Sequence, residues 1–445
     1  MGTLFPGQKS NAGDTDTERK GKRKMPDKIY LRQMQALPLI VKVRKTQLRI
    51  KEWYDHFDGN VYVSFSGGKD STVLAHLVHE LYPEVPLVFA NTGLEYPEIQ
   101  SFARKMGAEF VRPKMMFSEV ISKYGYPIIS KEVSEAIYYA RRIRNGGGYL
   151  ETERRRSDLQ TEQNPGAHTA HKRLDLTGNR TFERFGKTGV QKRNEINGLR
   201  GGGYDERRGK LAGVGEFSKD EKSLFNKEKW LPMCQEAQFM ISNKCCSAMK
   251  KSPIQSYQRR THRVPFIGTL TEESKLREQA WVKHGCNAFD SKKPTSQPLS
   301  FWTEQDILKY LYVEGYEIAS VYGDIVGVDA MGFEYEPLPG VDCKLKCTGC
   351  QRTGCIFCGF GCHLEKGETR FQRLAKTHPK QYEYCMGGGQ WSDNPAYDPT
   401  APKMDGDWQN WNPKKIWTPS KEGLGMKHVF DECNQIYGKD FIRYE

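Results

Sequence analysis

The chain has 445 residues, a mean hydropathy of −0.72, 37% apolar and 28% charged residues, and a net charge of +13. This length leaves room for about three units of ~150 residues, and the low apolar share predicts some poorly folded sequence. The composition excludes a membrane channel, a collagen-like fibre and a small disulfide scaffold.

Residues 1–28 are polar and aperiodic and read as a disordered basic tail, without the apolar core of a secretory signal. Between 40 and 57, Ile40, Val43, Ile50, Trp53 and Phe57 stand near helical spacing, and Pro38 suits the helix start. Residues 61–65 (Val-Tyr-Val-Ser-Phe) read as a buried strand. A Gly-containing turn follows, then a helix carrying Val73, Leu74, Leu77, Val78 and Leu81. Residues 86–90 form a second predicted strand. A helix from Pro97 and a strand at Phe110–Val111 come next. Strands alternating with helices predict an α/β fold, a doubly wound and mostly parallel sheet.

Residues 141–230 break this alternation. They hold two GGG runs and 21 Lys and Arg against 13 Asp and Glu, more than half of the chain's excess positive charge. Two readings stand: a solvated, partly disordered insertion, or a basic arm holding nucleic acid or another polyanion. Order is expected to resume at Trp230. A strand is predicted at 264–268 and a helix at 272–283. A further helix is predicted to be capped by Thr303, with Asp306 in its first turn. The segment 340–362 reads as irregular and the tail from 386 as loops. The resulting divisions are 29–140, 141–230, 231–365 and 366–445.

The residues 66–71, Ser-Gly-Gly-Lys-Asp-Ser, lie between a predicted strand and a predicted helix. Gly67 and Gly68 permit a tight turn whose N–H groups face an anion, and the helix start adds a favourable dipole. Ser66 and Ser71 supply hydroxyls and Lys69 a cation. The spacing is not that of the GxxxxGK[ST] loop.

Twelve cysteines without an export signal point to metal or redox chemistry in a reducing cytoplasm. Cys245 and Cys246 are adjacent, and Cys343, Cys347, Cys350, Cys355, Cys358 and Cys362 crowd one short span. Cys234, Cys286, Cys385 and Cys433 are isolated and read as packing residues. The same holds for His76 and His79, whereas His363, beside Cys362, is a weaker candidate ligand.

The SGGKDS loop resembles that of the PP-loop ATP pyrophosphatases, an adenine nucleotide alpha-hydrolase-like fold. Residues 91–98 (Asn-Thr-Gly-Leu-Glu-Tyr-Pro-Glu) are similar to the DTGxxFPE segment of the phosphoadenylyl-sulfate (PAPS) reductase branch. That resemblance implies an adenine-nucleotide site at the carboxyl ends of the strands. Its implied residues are Ser64, Ser66, Gly67, Gly68, Lys69, Asp70, Ser71, Asn91, Thr92, Gly93, Gly268 and Ser274, with ATP and Mg2+ as ligands.

The arrangement CCxxxKxxP followed by GCxxC is similar to adenylyl-sulfate (APS) reductases. It implies Cys245, Cys246, Cys355 and Cys358 as ligands of a 4Fe–4S cluster, with Lys250 beside it. Zinc, including a CxxC-x4-CxxC site, is the alternative. Lys69, Asp70, Lys250 and Arg277 are the candidate catalytic residues.

Three departures from the reductases stand out. The phosphate loop is intact, which favours ATP. Thr269, Leu270 and Thr271 stand where arginines would hold sulfate, leaving Lys275 and Arg277 as partial substitutes. The ECGxH segment has only a faint echo at Glu432–Gln435. The expected function is therefore ATP-dependent adenylation of an acceptor for sulfur transfer, with nucleic acid as a candidate acceptor and a sulfur donor or reductant protein as a further partner. APS/PAPS reduction and non-catalytic nucleotide and metal binding are the alternatives. The expected location is cytoplasmic, with no membrane partner.

Overall fold

The computed structural model describes residues 27–141, 227–338, 343–405 and 408–445. The predicted tail, apart from its last two residues, and nearly all of the predicted insertion lie outside these. Two amphipathic helices, α1 (Lys28–Gln35) and α2 (Leu39–His56), open the described chain. The expected spacing holds in part: Ile50 and Trp53 are fully buried, but Ile40 is 63% exposed.

The centre is a six-stranded sheet in the order β3-β2-β1-β5-β7-β6. Its strands are β1 (Val61–Phe65), β2 (Leu87–Ala90), β3 (Glu109–Val111), β5 (Val264–Ile267), β6 (Asn287–Ala288) and β7 (Thr295–Ser296). All pairings are parallel except that of β6 with β7 at the edge. Side chains alternate across β1. Val61, Val63 and Phe65 join the main core, whereas Tyr62 packs with Val88 and Tyr257 on the opposite face. Both faces are thus covered, which is why the strands read as near-continuous apolar runs. The doubly wound α/β architecture expected from the sequence is the one found.

Helix α3 (Lys69–His79) follows β1 and buries Val73, Leu74, Leu77 and Val78 completely. Each such side chain contributes about 1.5–3 kcal/mol of burial. Next come α4 (Pro97–Lys105), α5 (Phe117–Tyr124), the short β4 (Ile128–Ile129) and α6 (Lys131–Ala140). After residue 227 come α7 (Leu231–Glu236), α8 (Ser252–Thr261) and α9 (Lys275–His284). Helix α10 (Glu304–Glu314) starts as expected. The Thr303 N–H donates to Asp306 at 2.7 Å, and the Asp306 N–H donates to the Thr303 hydroxyl at 3.2 Å. Asp306 also pairs with the buried Lys42 at 2.6 Å, fastening α10 to α2.

Three expectations are corrected. The segment 340–362 is not wholly irregular: residues 344–347 pair antiparallel with 325–328, and 359–360 pair parallel with β4. The tail from 386 is not only loops. It holds a paired hairpin (390–393 with 415–418) and a helix, Met426–Tyr437, that buries Met426, Val429, Phe430 and Cys433. Arg141 belongs to the core rather than to a solvated insertion. Its guanidinium donates to the carbonyls of Met233, Cys234, Ala237 and Phe239 at 2.6–3.0 Å and lies 4.1 Å from the Trp411 ring centroid. Burial lowers its pKa to about 10, so it stays cationic at neutral pH. No helix among the described residues is long and apolar enough to cross a membrane.

Candidate nucleotide and thiol site

The turn after β1 is a closed knot of short hydrogen bonds. The Ser71 hydroxyl donates to the Gly68 carbonyl at 2.9 Å and lies 3.0 Å from the Ser66 hydroxyl. The Ser66 N–H donates to Ser71 Oγ at 3.2 Å. Gly67 has a φ of +70°, and a Cβ there would stand 2.8 Å from Ile99 Cγ2, so the turn needs glycine twice over. Gly268, just past β5, is held to glycine by contact: its Cβ would lie 2.9 Å from the Asp70 carbonyl oxygen.

Lys69 is buried at the start of α3, where its ammonium pairs with Glu304 at 3.2 Å and lies 5.5 Å from the Tyr322 ring centroid. The buried Cys347 thiol lies within its electrostatic reach. Asp70 is partly buried, and its pKa is raised by that burial, with Lys69 opposing and Glu304 adding to the rise. Glu304 is a site residue that the sequence reading missed. It sits one position after the cap that was recognised.

A cavity of about 280 Å3 opens outside the carboxyl ends of β1 and β2. Ser64, Ser66, Glu95, Lys250 and Lys251 supply its polar wall, and Ile99 and Ile254 part of its apolar wall. This is where open α/β sheets bind ligands. The loop 91–95 is held by Glu95, whose carboxylate accepts from the Thr92 N–H at 3.0 Å and the Thr92 hydroxyl at 2.8 Å. Asn91 accepts from the Gly93 N–H at 3.2 Å. The same loop carries the Leu94 carbonyl, which accepts from the Ile356 N–H at 2.8 Å. That bond fastens the second CxxC segment beside the cavity.

The thiols follow from this fastening. Cys245 stands before a π-helical turn, Cys246–Lys251, a form frequent at functional sites. The adjacent Cys245 and Cys246 thiols lie within electrostatic reach of each other. The pKa of Cys246 is lowered, chiefly by Cys245 and against the effect of its burial, whereas that of Cys245 is raised by Cys246 and by burial. Cys355 and Cys358 are in electrostatic reach of Cys245. Burial raises Cys355 to about 11, with the Lys250 ammonium opposing that rise. Burial alone would lower the Lys250 pKa, but Cys355 and Glu95 lift it above its usual value.

The other three implied ligand residues are thus within electrostatic reach of Cys245, although their segments are 110 positions apart. Among the described residues no group of three or more His, Cys, Asp or Glu closes on a single point. The set is a thiol neighbourhood, with Lys250 beside it.

Other candidates are placed elsewhere. Ser274 caps α9 by accepting from the Leu276 N–H at 3.2 Å. Arg277 is paired with Glu273, although Asp70 lies within its field. Leu270 and Thr271 are buried, and the Thr271 hydroxyl donates to the Ser300 carbonyl at 2.8 Å. Cys433 is fully buried, which pushes its thiol well above the ordinary range and keeps it from a substrate. His76 stacks on Tyr316, and His79 bonds the Val85 carbonyl at 2.8 Å, both packing roles. His363 packs against Phe441 and Trp230.

Comparison with known proteins locates this architecture. Residues 60–127 and 214–359 match the phosphoadenosine phosphosulfate reductase domain. Two uncharacterized proteins of Methanocaldococcus jannaschii are each 32% identical, over 117 and 97 residues, or 23% and 20% of this chain. The chain spans about a quarter (24%) of the length of each. A crystal structure of phosphoadenylyl-sulfate (PAPS) reductase from Candida auris, a phosphate complex, aligns over 66% of this chain and 90% of its own. The identity is 11% and the TM-score 0.29, a loose superposition. The two matched blocks carry the phosphate loop, the 91–98 segment and all four of these cysteines, and over them the chain is similar to the phosphoadenosine phosphosulfate reductase domain.

Proposed function

We propose that the protein binds ATP with Mg2+ and adenylates an acceptor for sulfur transfer, releasing pyrophosphate. The reading rests on one observation above others: the SGGKDS turn is complete and opens on a cavity that Lys250 shares with the thiol set. In this reading an acceptor oxygen attacks the α-phosphorus, the bond to the β-phosphate oxygen breaks, and pyrophosphate leaves. The Gly67–Gly68 backbone, Ser66, Ser71 and Lys69 hold the departing charge, and Asp70 orients the turn or places Mg2+. A sulfur nucleophile from a donor then displaces AMP.

Cys245, Cys246, Cys355 and Cys358 would hold the 4Fe–4S group, which supplies electrons or a sulfur site when bound. Lys250 keeps a positive charge between that group and the nucleotide. Sulfonucleotide reduction is less well supported, because Cys433 is buried and the sulfate-binding arginines are replaced.

The test is pyrophosphate release from ATP–Mg2+ by anaerobically purified protein, with candidate acceptors and a sulfide source. Acceptor-dependent release, reduced about 100-fold in Lys69→Ala, is the expected result. Sulfite production from APS or PAPS with no pyrophosphate release would overturn the reading.

A further inference from the structure

The thiol neighbourhood is flanked by two cavities. The nucleotide cavity reaches it through Lys250. The second is larger, about 1050 Å3, at the upper end of the roughly 300–1,000 Å3 of small-molecule sites. Its floor is the β4 pairing with Gly359–Phe360, which comes directly after Cys358. Lys131 stands on its rim, exposed, and its ammonium is in electrostatic reach of both Cys246 and Cys358.

The charge of this cavity is one-sided. Lys131, Lys227 and Lys229 line it against one lining carboxylate, Glu228. Lys227 is paired with Glu132 at 3.1 Å. Lys229 is exposed, lines the cavity and has its ammonium 4.8 Å from the Trp230 ring centroid. Lys227 and Lys229 lie at the end of the basic segment 141–230. Converging lysines on a concave wall attract phosphate-bearing ligands.

We propose that this second cavity, beside Lys131 and Lys229, seats the second substrate of the reaction, a phosphate-bearing acceptor. The assignment deepens the adenylation reading and rests on it for the word acceptor. The phosphate is carried either by a single-stranded nucleic acid or by a free phosphorylated metabolite.

The test uses the full chain, a labelled single-stranded oligonucleotide read by fluorescence anisotropy, and ribose 5-phosphate as competitor. The double variant Lys131→Glu/Lys229→Glu is compared with Lys380→Glu, an exposed lysine outside the cavity. All three replaced residues are exposed, so folding is preserved and is checked by thermal melting. The expected result is about a 10-fold or greater loss of probe affinity in the double variant, with ATP affinity and the Lys380→Glu control unchanged. Competition by ribose 5-phosphate identifies a metabolite, and its failure to compete identifies a nucleic-acid strand. Equal binding by the double variant and the control, or no binding of either probe by the unaltered protein, overturns the assignment. Loss of the probe by the double variant in a protein that does not bind ATP leaves the cavity assignment standing and defeats the adenylation reading instead.

Discussion

Lys250 lines the cavity beside the phosphate loop and lies in the field of the Cys355 thiol, so one ammonium group borders both halves of the site. Replacing it with methionine keeps the aliphatic stem and removes the charge. A hydrogen bond to a charged group contributes about 1.5–3 kcal/mol, so ATP affinity in Lys250→Met is expected to fall by about 10–100-fold. Isothermal titration measures this, and an unchanged thermal melt separates it from misfolding. Undiminished ATP affinity would remove Lys250 from the nucleotide site.

Gly268 sets the distance between β5 and the phosphate loop. In Gly268→Ala the added Cβ meets backbone atoms of Asp70 and Ser71 at 2.9–3.1 Å, and no flexible side chain is there to yield. Overpacking of this kind costs about 1–3 kcal/mol. The variant is expected to melt lower and to bind ATP more weakly, because the yielding element is the loop itself. A lower melt with unchanged ATP affinity would show that the strain is absorbed elsewhere.

Arg141 fastens α6 to the segment 233–239 through four carbonyls. Arg141→Met leaves those acceptors without their donor. A loss of about 3 kcal/mol or more in urea unfolding is expected. A change within about 0.5 kcal/mol would mean that water replaces the guanidinium.

His76 carries a pH dependence. Its pKa is lowered, chiefly by burial and further by His79, against a smaller opposing effect of Glu80. Between that lowered value and the ordinary ~6.5, the unfolded chain binds more protons than the folded one. Stability therefore rises with pH through this window, and acidification below about 6.5 erodes it. His76→Gln is expected to flatten the melting temperature profile between pH 5 and 7. It also loses the stack on Tyr316 and so melts lower at pH 8. An unaltered slope would assign the acid sensitivity to other groups.

Much of the site was legible because its signals are local. The SGGKDS turn, the 91–95 loop and the Thr303 cap each close hydrogen bonds between residues a few positions apart. What stayed hidden depends on distant partners. The two-residue strand at 359–360 exists only through β4, about 230 positions earlier. Arg141 is a charged residue in a charged stretch, and nothing near it announces the four carbonyls it fills. Glu304 gains its role from Lys69, 235 positions away. The helix Met426–Tyr437 is different: Met426, Val429, Phe430 and Cys433 have helical spacing. That signal was present but masked by the Gly, Pro and Trp around it.

The most direct measurement is competition at the nucleotide site. Anaerobically purified protein is titrated with ATP–Mg2+, APS and PAPS at fixed salt, each displacing a fluorescent ATP analogue. The complete phosphate loop predicts clear preference for ATP–Mg2+, with Lys69→Ala losing it. Clear preference for a sulfonucleotide would contradict the account and make reduction the reaction to explain.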